Sequence, residues 1–131
     1  MISQDLIYAL AIAVGGAIGA TFRGSIYVIV ARVFAKGSWT NPHGTYIANT
    51  LGSLILGFLS GLMLSRHISV ANRDLVGTGF CGSLTTFSTF SNDTYTLMKG
   101  NQWKQLGAHL GLNLFVGFGA AALGYYLGQQ I

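Results

Sequence analysis

The chain has 131 residues, of which 51% are hydrophobic and 8% are charged, whereas about 25% of a soluble domain is charged. This composition excludes an ordinary soluble domain and indicates an integral membrane protein. The net charge of +4 comes from seven Lys and Arg against three acidic residues, with no basic cluster. We therefore expect membrane lipid as a partner and no nucleic acid. The single cysteine, Cys81, excludes an internal disulfide.

Four stretches of the chain are long and apolar enough to cross a bilayer, which takes about 20 residues. In chain order they are 6–31, which Arg23 interrupts, 44–65, the stretch between Asp74 and Asp93, and the tail after Lys104. The second and third connections between them are short enough to be turns. The sequence therefore predicts an all-α membrane protein, a single four-helix transmembrane domain over residues 1–131.

Positive charges in the connections give little information on orientation. Four spans place both termini and the second loop on one side of the membrane. That side carries Arg66 and Arg73, and the other carries Arg32, Lys36, Lys99 and Lys104. Because positive residues in short loops set orientation, two against four is a weak bias. A fixed topology and insertion in both orientations both stay open.

The second span has a stripe of small and polar residues four positions apart, Thr45, Asn49, Ser53, Gly57 and Gly61. Small residues on one helix face allow close helix packing, and we expect Ser53, Gly57 and Gly61 near a contact between two subunits. The Asn49 amide needs hydrogen-bond partners that packing alone does not supply. Asn49 is therefore either an interhelical clamp or a functional residue.

Two other spans contain isolated polar residues at the same spacing. In the fourth span His109 and Asn113 lie one turn apart, and the shared face favours a polar track over a lone structural histidine. In the first span Arg23 follows Gly15 and Gly19. This arginine either extends to the headgroups or attracts water and anions at the mouth of a cavity.

The third span contains the segment GFCGSLTTFSTFSND, residues 79–93. Its glycines and its run of Thr and Ser have low helix propensity, so we predict a break in the middle of this span. Non-helical backbone at membrane depth occurs only where it is buried or lines a cavity, and its freed carbonyls can coordinate a cation. Phe87 and Phe90 are three residues apart and share a helix face beyond the break.

These residues favour passive transport over the other classes of function. The chain has no Glu, its Asp residues fall at predicted span ends, and its three His are in different loops and spans, so we predict that it is not an enzyme. A proton-coupled exporter needs a titratable carboxylate buried in the membrane, and Asp residues at predicted span ends do not supply one. A purely structural subunit explains the glycine stripes but not the polar tracks. Asn amides, hydroxyls and the positive edges of Phe rings favour a pathway for a small anion.

Three segments resemble one known family. GFCGSLTTFSTFS (79–91) resembles the signature third helix of the Fluc fluoride channels, also called CrcB proteins, and HGTYIANTLGSLILG (43–57) and GGAIGATFR (15–23) resemble their second and first helices. The resemblance implies an antiparallel, dual-topology homodimer in the inner (plasma) membrane, with two fluoride pores and a central structural sodium ion, that exports fluoride from the cytoplasm. A small dual-topology four-helix exporter of the multidrug-resistance type remains the alternative.

The resemblance also implies roles for individual residues. The residues it assigns to the fluoride pathway are Asn49, Phe87, Phe90, Ser88, Thr89, His109 and Asn113. Asn113 stands where the family usually has Ser or Thr, and Asp93 stands where Glu is common.

Three further residues take roles beside the pathway. Arg23 matches an arginine near the vestibule. Gly82 and Thr85 match the positions whose main-chain carbonyls hold the sodium ion.

Overall fold

The computed structural model describes residues 3–34, 42–65, 67–69, 72 and 75–131. Its helices are α1 (Gln4–Phe34), α2 (Pro42–Leu64), α3 (Leu75–Cys81), α4 (Gly82–Leu84), α5 (Phe87–Lys99), α6 (Trp103–Gly111), α7 (Leu112–Val116) and α8 (Gly117–Gln129). Helices α3 and α7 are π-helical. Lys36, Arg66, Arg73 and Asp74, which the loop-charge and third-span predictions use, lie outside the described residues.

Three helices are long and apolar enough to cross a membrane among the residues described: Gln4–Val33, Pro42–Leu64 and Trp103–Gln129. The last of these joins α6, α7 and α8 into one continuous helix. With 31 residues, α1 is about 46 Å long at about 1.5 Å per residue, which exceeds a hydrocarbon core of about 30 Å. The prediction of an all-helical membrane protein is confirmed.

The third predicted span is divided into two helical parts. Thr85 (φ −79°, ψ 157°) and Thr86 (φ −152°, ψ 118°) are extended, and helix resumes at Phe87. The predicted break is confirmed, but its place differs in detail. We expected Gly82 to be part of the broken backbone, whereas Gly82 begins the short helix α4. The β-branched threonines interrupt the helix because they tolerate extended backbone better than helix.

Helix α2 packs along α8 through glycines on both sides. A Cβ atom on Gly57 would collide with the main-chain oxygen of Ala121, and one on Gly124 would collide with that of Leu54. Gly61 lies equally close to the backbone of α8. The missing side chains of Gly57 and Gly61 thus make room for a helix of the same chain. The place of Ser53, Gly57 and Gly61 near a contact between subunits stays a prediction.

A second close crossing joins α1 to α3. A Cβ atom on Gly19 would collide with the carbonyl oxygen of Phe80, and one on Gly79 would lie 2.8 Å from the carbonyl oxygen of Ile12. The glycine spacing of the first span therefore places α1 directly against the glycine-rich start of the third.

The packed interior between these helices is small. Its buried apolar residues are Val30, Ala48, Cys81, Leu84, Leu97 and Leu106. Large apolar side chains instead project from the surface, among them Phe115 and Phe118, which are 74% and 71% exposed. An exposed apolar surface of this kind suits contact with lipid tails, which do not penalise it as water does.

Candidate functional site

An open cavity of about 470 Å³ lies beside the break in the third span. Its lining residues are Asn49, Gly52, Ser53, Leu56, Gly77, Cys81, Gly82, Thr85, Thr86, Phe87, Phe90, Leu110, Asn113 and Leu114. The structure thus brings six of the predicted site residues to one place: Asn49, Gly82, Thr85, Phe87, Phe90 and Asn113. The other four, Arg23, Ser88, Thr89 and His109, lie outside this lining.

The carboxamide of Asn49 pairs with both main-chain groups of Thr86. The Thr86 N–H donates to Asn49 Oδ1 over 2.9 Å, and Asn49 Nδ2 donates to the Thr86 carbonyl over 3.5 Å. In an extended residue the N–H and C=O point to the same side, so one side chain can satisfy both. Asn49 therefore supplies the acceptor that the Thr86 N–H loses at the break.

A hydrogen-bonded series continues from Asn49 into the last membrane helix. Asn49 Nδ2 donates to Asn113 Oδ1 over 3.2 Å, and Asn113 Nδ2 donates to the carbonyl of His109 over 2.8 Å. Asn113 Nδ2 also lies 3.4 Å from His109 Nδ1. Asn113 is part of the π-helical turn α7, and π-bulges within α-helices often occur at functional sites.

The aromatic rings at the start of α5 form a row with His109. The ring centroids of Phe87 and Phe90 are 5.8 Å apart, and the Phe90 ring stacks on the His109 ring at 5.0 Å. Phe87 is 79% exposed, whereas His109 is 3% exposed. Phe87 therefore lines the cavity with an exposed ring, whereas His109 is buried and stacks against Phe90.

Three hydroxyl groups gather at the beginning of α5. Thr86 Oγ1 accepts from the Thr89 N–H over 3.2 Å and so caps the helix. The same oxygen lies 3.1 Å from Ser88 Oγ and 3.1 Å from Thr89 Oγ1. Thr86 organises this cluster and binds Asn49. It was not among the predicted site residues, because only its position at the break distinguishes it from its neighbours.

The break also frees from helical hydrogen bonds the two carbonyls that the family resemblance assigns to a sodium ion. The helical donor for the Gly82 carbonyl would be the Thr86 N–H, which instead donates to Asn49. The helical donor for the Thr85 carbonyl would be the Thr89 N–H, which instead donates to Thr86 Oγ1. Both oxygens are thus available to other partners.

Arg23 makes its contact at this same break. Its Nη1 donates to the Thr85 carbonyl over 3.4 Å, and the side chain is half-buried. Arg23 therefore lies beside the non-helical backbone, outside the cavity lining, rather than extending away from the other helices.

A second polar cluster was not predicted. Thr45 Oγ1 donates to the Asp93 carboxylate over 2.6 Å, and the Tyr27 hydroxyl lies 2.7 Å from Thr45 Oγ1. Asp93 is 5% exposed, which corrects the placement of this residue at a span end, because α5 continues to Lys99. The stripe that contains Thr45 and Asn49 was the available signal, but its partner on another helix was not visible.

The chain matches one protein family over most of its length. The model for the family described as CrcB-like protein, Camphor Resistance (CrcB), matches residues 10–125. Relatives named Fluoride-specific ion channel FluC, from Shewanella sp. (strain ANA-3) and Shewanella oneidensis, are 40% identical over 122 residues, which is 93% of this chain and 93% of theirs. A relative of the same name from Shewanella baltica (strain OS155) is 39% identical over the same coverage.

These matches confirm the resemblance stated from the sequence. They name ion channels and not enzymes, as the lack of a catalytic set predicted. The extent of the family match and the identity of the relatives together establish that the chain belongs to the CrcB family.

Proposed function

We propose that this chain is a fluoride channel that lets fluoride leave the cytoplasm passively across the cell inner membrane. The observation that carries the proposal is the meeting of the Asn49 and Asn113 amides with the Phe87 and Phe90 rings around one open cavity. The name of the relatives, Fluoride-specific ion channel, supports the same function.

The chemistry of the cavity suits a small anion that has lost part of its water. Among the described residues that line it, none is charged, so no carboxylate repels the anion. Amide N–H groups donate hydrogen bonds, and the edges of Phe rings carry positive partial charge. The bond from Asn49 Nδ2 to the Thr86 carbonyl, at 3.5 Å, is the longest that this amide makes. The N–H group that makes this bond is therefore the donor that can turn to fluoride at the lowest cost in free energy.

The predicted residues outside the cavity lining extend the pathway at its ends. Arg23, beside Thr85 at the break, raises the local concentration of anions through its charge. The hydroxyls of Ser88 and Thr89 lie at the start of α5 beside Thr86, where they offer further neutral donors.

The working unit in this proposal is a homodimer. An open cavity that exposes amides and free carbonyls at membrane depth would be costly against lipid tails. A second copy of the chain covers it at lower cost. An antiparallel arrangement, as the family implies, gives each subunit its own cavity and the dimer two pores.

A structural sodium ion fits the carbonyls at the break. The Gly82 and Thr85 oxygens lack their helical donors, and a two-fold axis brings two such pairs together. Neutral oxygens suit a hard monovalent cation. A carbonyl oxygen has two lone pairs, so Thr85 can bind the ion while it accepts from Arg23. The ion would supply a positive charge that holds the broken helices of the two subunits together.

The exporter alternative finds one supporting observation in Asp93. A proton-coupled exporter needs a buried carboxylate, and Asp93 is buried. However, Asp93 accepts from Thr45 and is not part of the cavity lining. The two functions differ in their driving force, since a channel follows the electrochemical gradient of fluoride alone.

The deciding experiment is fluoride efflux from liposomes that contain only this protein. A potassium gradient with valinomycin sets the membrane voltage, and a fluoride electrode follows release. We expect fast fluoride release at every voltage that favours exit, without a proton gradient, and far slower chloride release. Efflux that requires a proton gradient would instead support the exporter, and no efflux of fluoride would reject the channel.

A further inference from the structure

The hydrogen bonds around Asn49 have a fixed direction that follows from one main-chain group. The Thr86 N–H can only donate, so the Asn49 atom that it meets at 2.9 Å must be Oδ1. The NH2 group of Asn49 then takes the second position of the carboxamide, within 3.5 Å of the Thr86 carbonyl. There it donates to Asn113 over 3.2 Å.

The same reasoning fixes the next two side chains. Because Asn49 donates, the atom of Asn113 that it meets is Oδ1, and the NH2 group of Asn113 points to His109. This NH2 group can only donate, so His109 Nδ1 at 3.4 Å acts as an acceptor. A neutral imidazole with a bare Nδ1 carries its proton on Nε2, which then donates to the Phe90 carbonyl over 3.3 Å.

The hydrogen bonds therefore run from donor to acceptor in one order, from the start of α5 back to α5. The Thr86 N–H donates to Asn49, Asn49 to Asn113, Asn113 to His109, and His109 to the Phe90 carbonyl, which only accepts. Reversal of the Asn49 carboxamide would place NH2 against the Thr86 N–H and oxygen against Asn113 Oδ1. Each of these contacts opposes two like groups, so the series keeps the oxygen of Asn49 on the Thr86 N–H and its NH2 group on Asn113.

We propose that His109 and Asn113 are positioning residues that hold the Asn49 carboxamide so that its NH2 group, and not its oxygen, faces the anion. The inference rests on the proposed fluoride function of the cavity, and it gives His109 a role other than lining the path. His109 is 3% exposed and reaches the pathway through Asn113 on one side and Phe90 on the other. A reversed Asn49 would present an oxygen to fluoride and repel it.

The first measurement is the tautomer of His109. Nitrogen-15 NMR on the full chain, labelled at histidine and reconstituted in lipid, distinguishes a bare from a protonated ring nitrogen. The His109 signals are identified by their loss in His109→Gln. We expect a bare Nδ1 and a protonated Nε2 at neutral pH. A protonated Nδ1 would overturn the proposal, even in a protein that conducts fluoride normally.

The second measurement is fluoride flux in variants at position 109. Gln offers one donor and one acceptor, as the neutral imidazole does, whereas Leu offers neither. We expect His109→Gln to keep flux within about twofold and His109→Leu to lose roughly three- to tenfold, the size of one net hydrogen bond. Asn113→Leu should lose at least as much. Gln105→Leu, an exposed position one turn earlier on α6, is the control and should match the parent.

The variants and the tautomer separate the two proposals. Equal flux in His109→Gln and His109→Leu would limit His109 to packing and reject the positioning role, with the channel function intact. If the parent chain carries no fluoride, the proposed function fails, and the tautomer still decides whether the hydrogen bonds run in the order described.

Discussion

The Thr45 hydroxyl donates a 2.6 Å hydrogen bond to the Asp93 carboxylate, and both side chains are buried. A Thr hydroxyl has a single proton to donate. The Thr45 proton therefore points to Asp93, and the Tyr27 hydroxyl donates to Thr45. One residue from each of α1, α2 and α5 is thus joined in a single series, which ties the second half of the third span to the first two helices.

Thr45→Val tests this series, because valine keeps the shape and removes the hydroxyl. Asp93 then loses a buried donor, and we expect a loss of about 3 kcal/mol in the free energy of unfolding. Tyr27→Phe removes only the outer donor and should cost about 1 kcal/mol. Unfolding in detergent, followed by circular dichroism, measures both. If Thr45→Val combined with Asp93→Leu is as unstable as the sum of the single changes, the two residues do not interact.

The glycine contacts between α2 and α8 predict position-specific effects of alanine. Gly124→Ala places a Cβ atom against the backbone of Leu54 and Phe58, and overpacking of this kind costs about 1 to 3 kcal/mol. Gly119, in the same helix, has no atom within 4 Å of its Cβ position. Gly119→Ala should therefore be neutral or stabilising by about 0.5 kcal/mol. Equal thermal stability of the two variants would contradict the packing described.

Substitution of Asn49 by Asp should have the largest effect on fluoride flux. The carboxylate removes both amide donors and places a negative charge in the path. Repulsion of about 4 kcal/mol at ~4 Å in a protein environment corresponds to a loss of roughly a thousandfold. The new carboxylate would also face Asn113 Oδ1, which now accepts from Asn49. Liposome efflux measures this, and normal flux would assign Asn49 to packing.

The Phe rings are tested by a change that keeps bulk and removes the aromatic edge. Phe87→Ile combined with Phe90→Ile should lower fluoride flux by about tenfold, the order of one aromatic contact per ring. Phe115→Ile, at a 74% exposed position away from the cavity, serves as the control. Flux that is unchanged in the double variant would show that the rings only fill space.

Removal of sodium should lower flux slowly, because the proposed ion is enclosed between two subunits. The exchange uses a buffer in which a large organic cation replaces sodium, and flux is measured at intervals over days. Thr85→Ser should behave as the parent does, since the ligand is a main-chain oxygen. Gly82→Ala should leave the subunit fold intact, because its Cβ would lie 3.7 Å from the Gly77 carbonyl oxygen. Full flux after verified sodium removal would reject the ion.

Antiparallel assembly predicts that each loop is found on both sides of the membrane. Single cysteines at His67 and Gln102, which are both exposed, are introduced into a Cys81→Ala background. A reagent that cannot cross the membrane should label each position partly from outside and completely after the membrane is opened. Labelling of one position only from outside and the other only from inside would establish a single orientation.

The sequence by itself determined the class of the protein and its helical spans. Low charge and long apolar stretches are sufficient to identify a membrane protein, because a segment that crosses the bilayer must be both long and apolar. Glycine and threonine at residues 77–89 predicted a broken third span, since low helix propensity acts locally. The segment 79–91 was specific enough to identify the CrcB family, which the comparisons confirm.

The tertiary structure alone decided which residues meet. Spacing placed Gly57 and Gly61 on one face of α2, but only the structure shows that α8 packs against these glycines. The sequence predicted that Asp93 ends a span. In the structure α5 resumes after the break at Thr85 and Thr86 and continues past Asp93, whose carboxylate is buried. The direction of the Asn49 amide depends on one backbone N–H that is 37 residues away. Contacts of this kind join distant parts of the chain, and no local pattern of residues contains them.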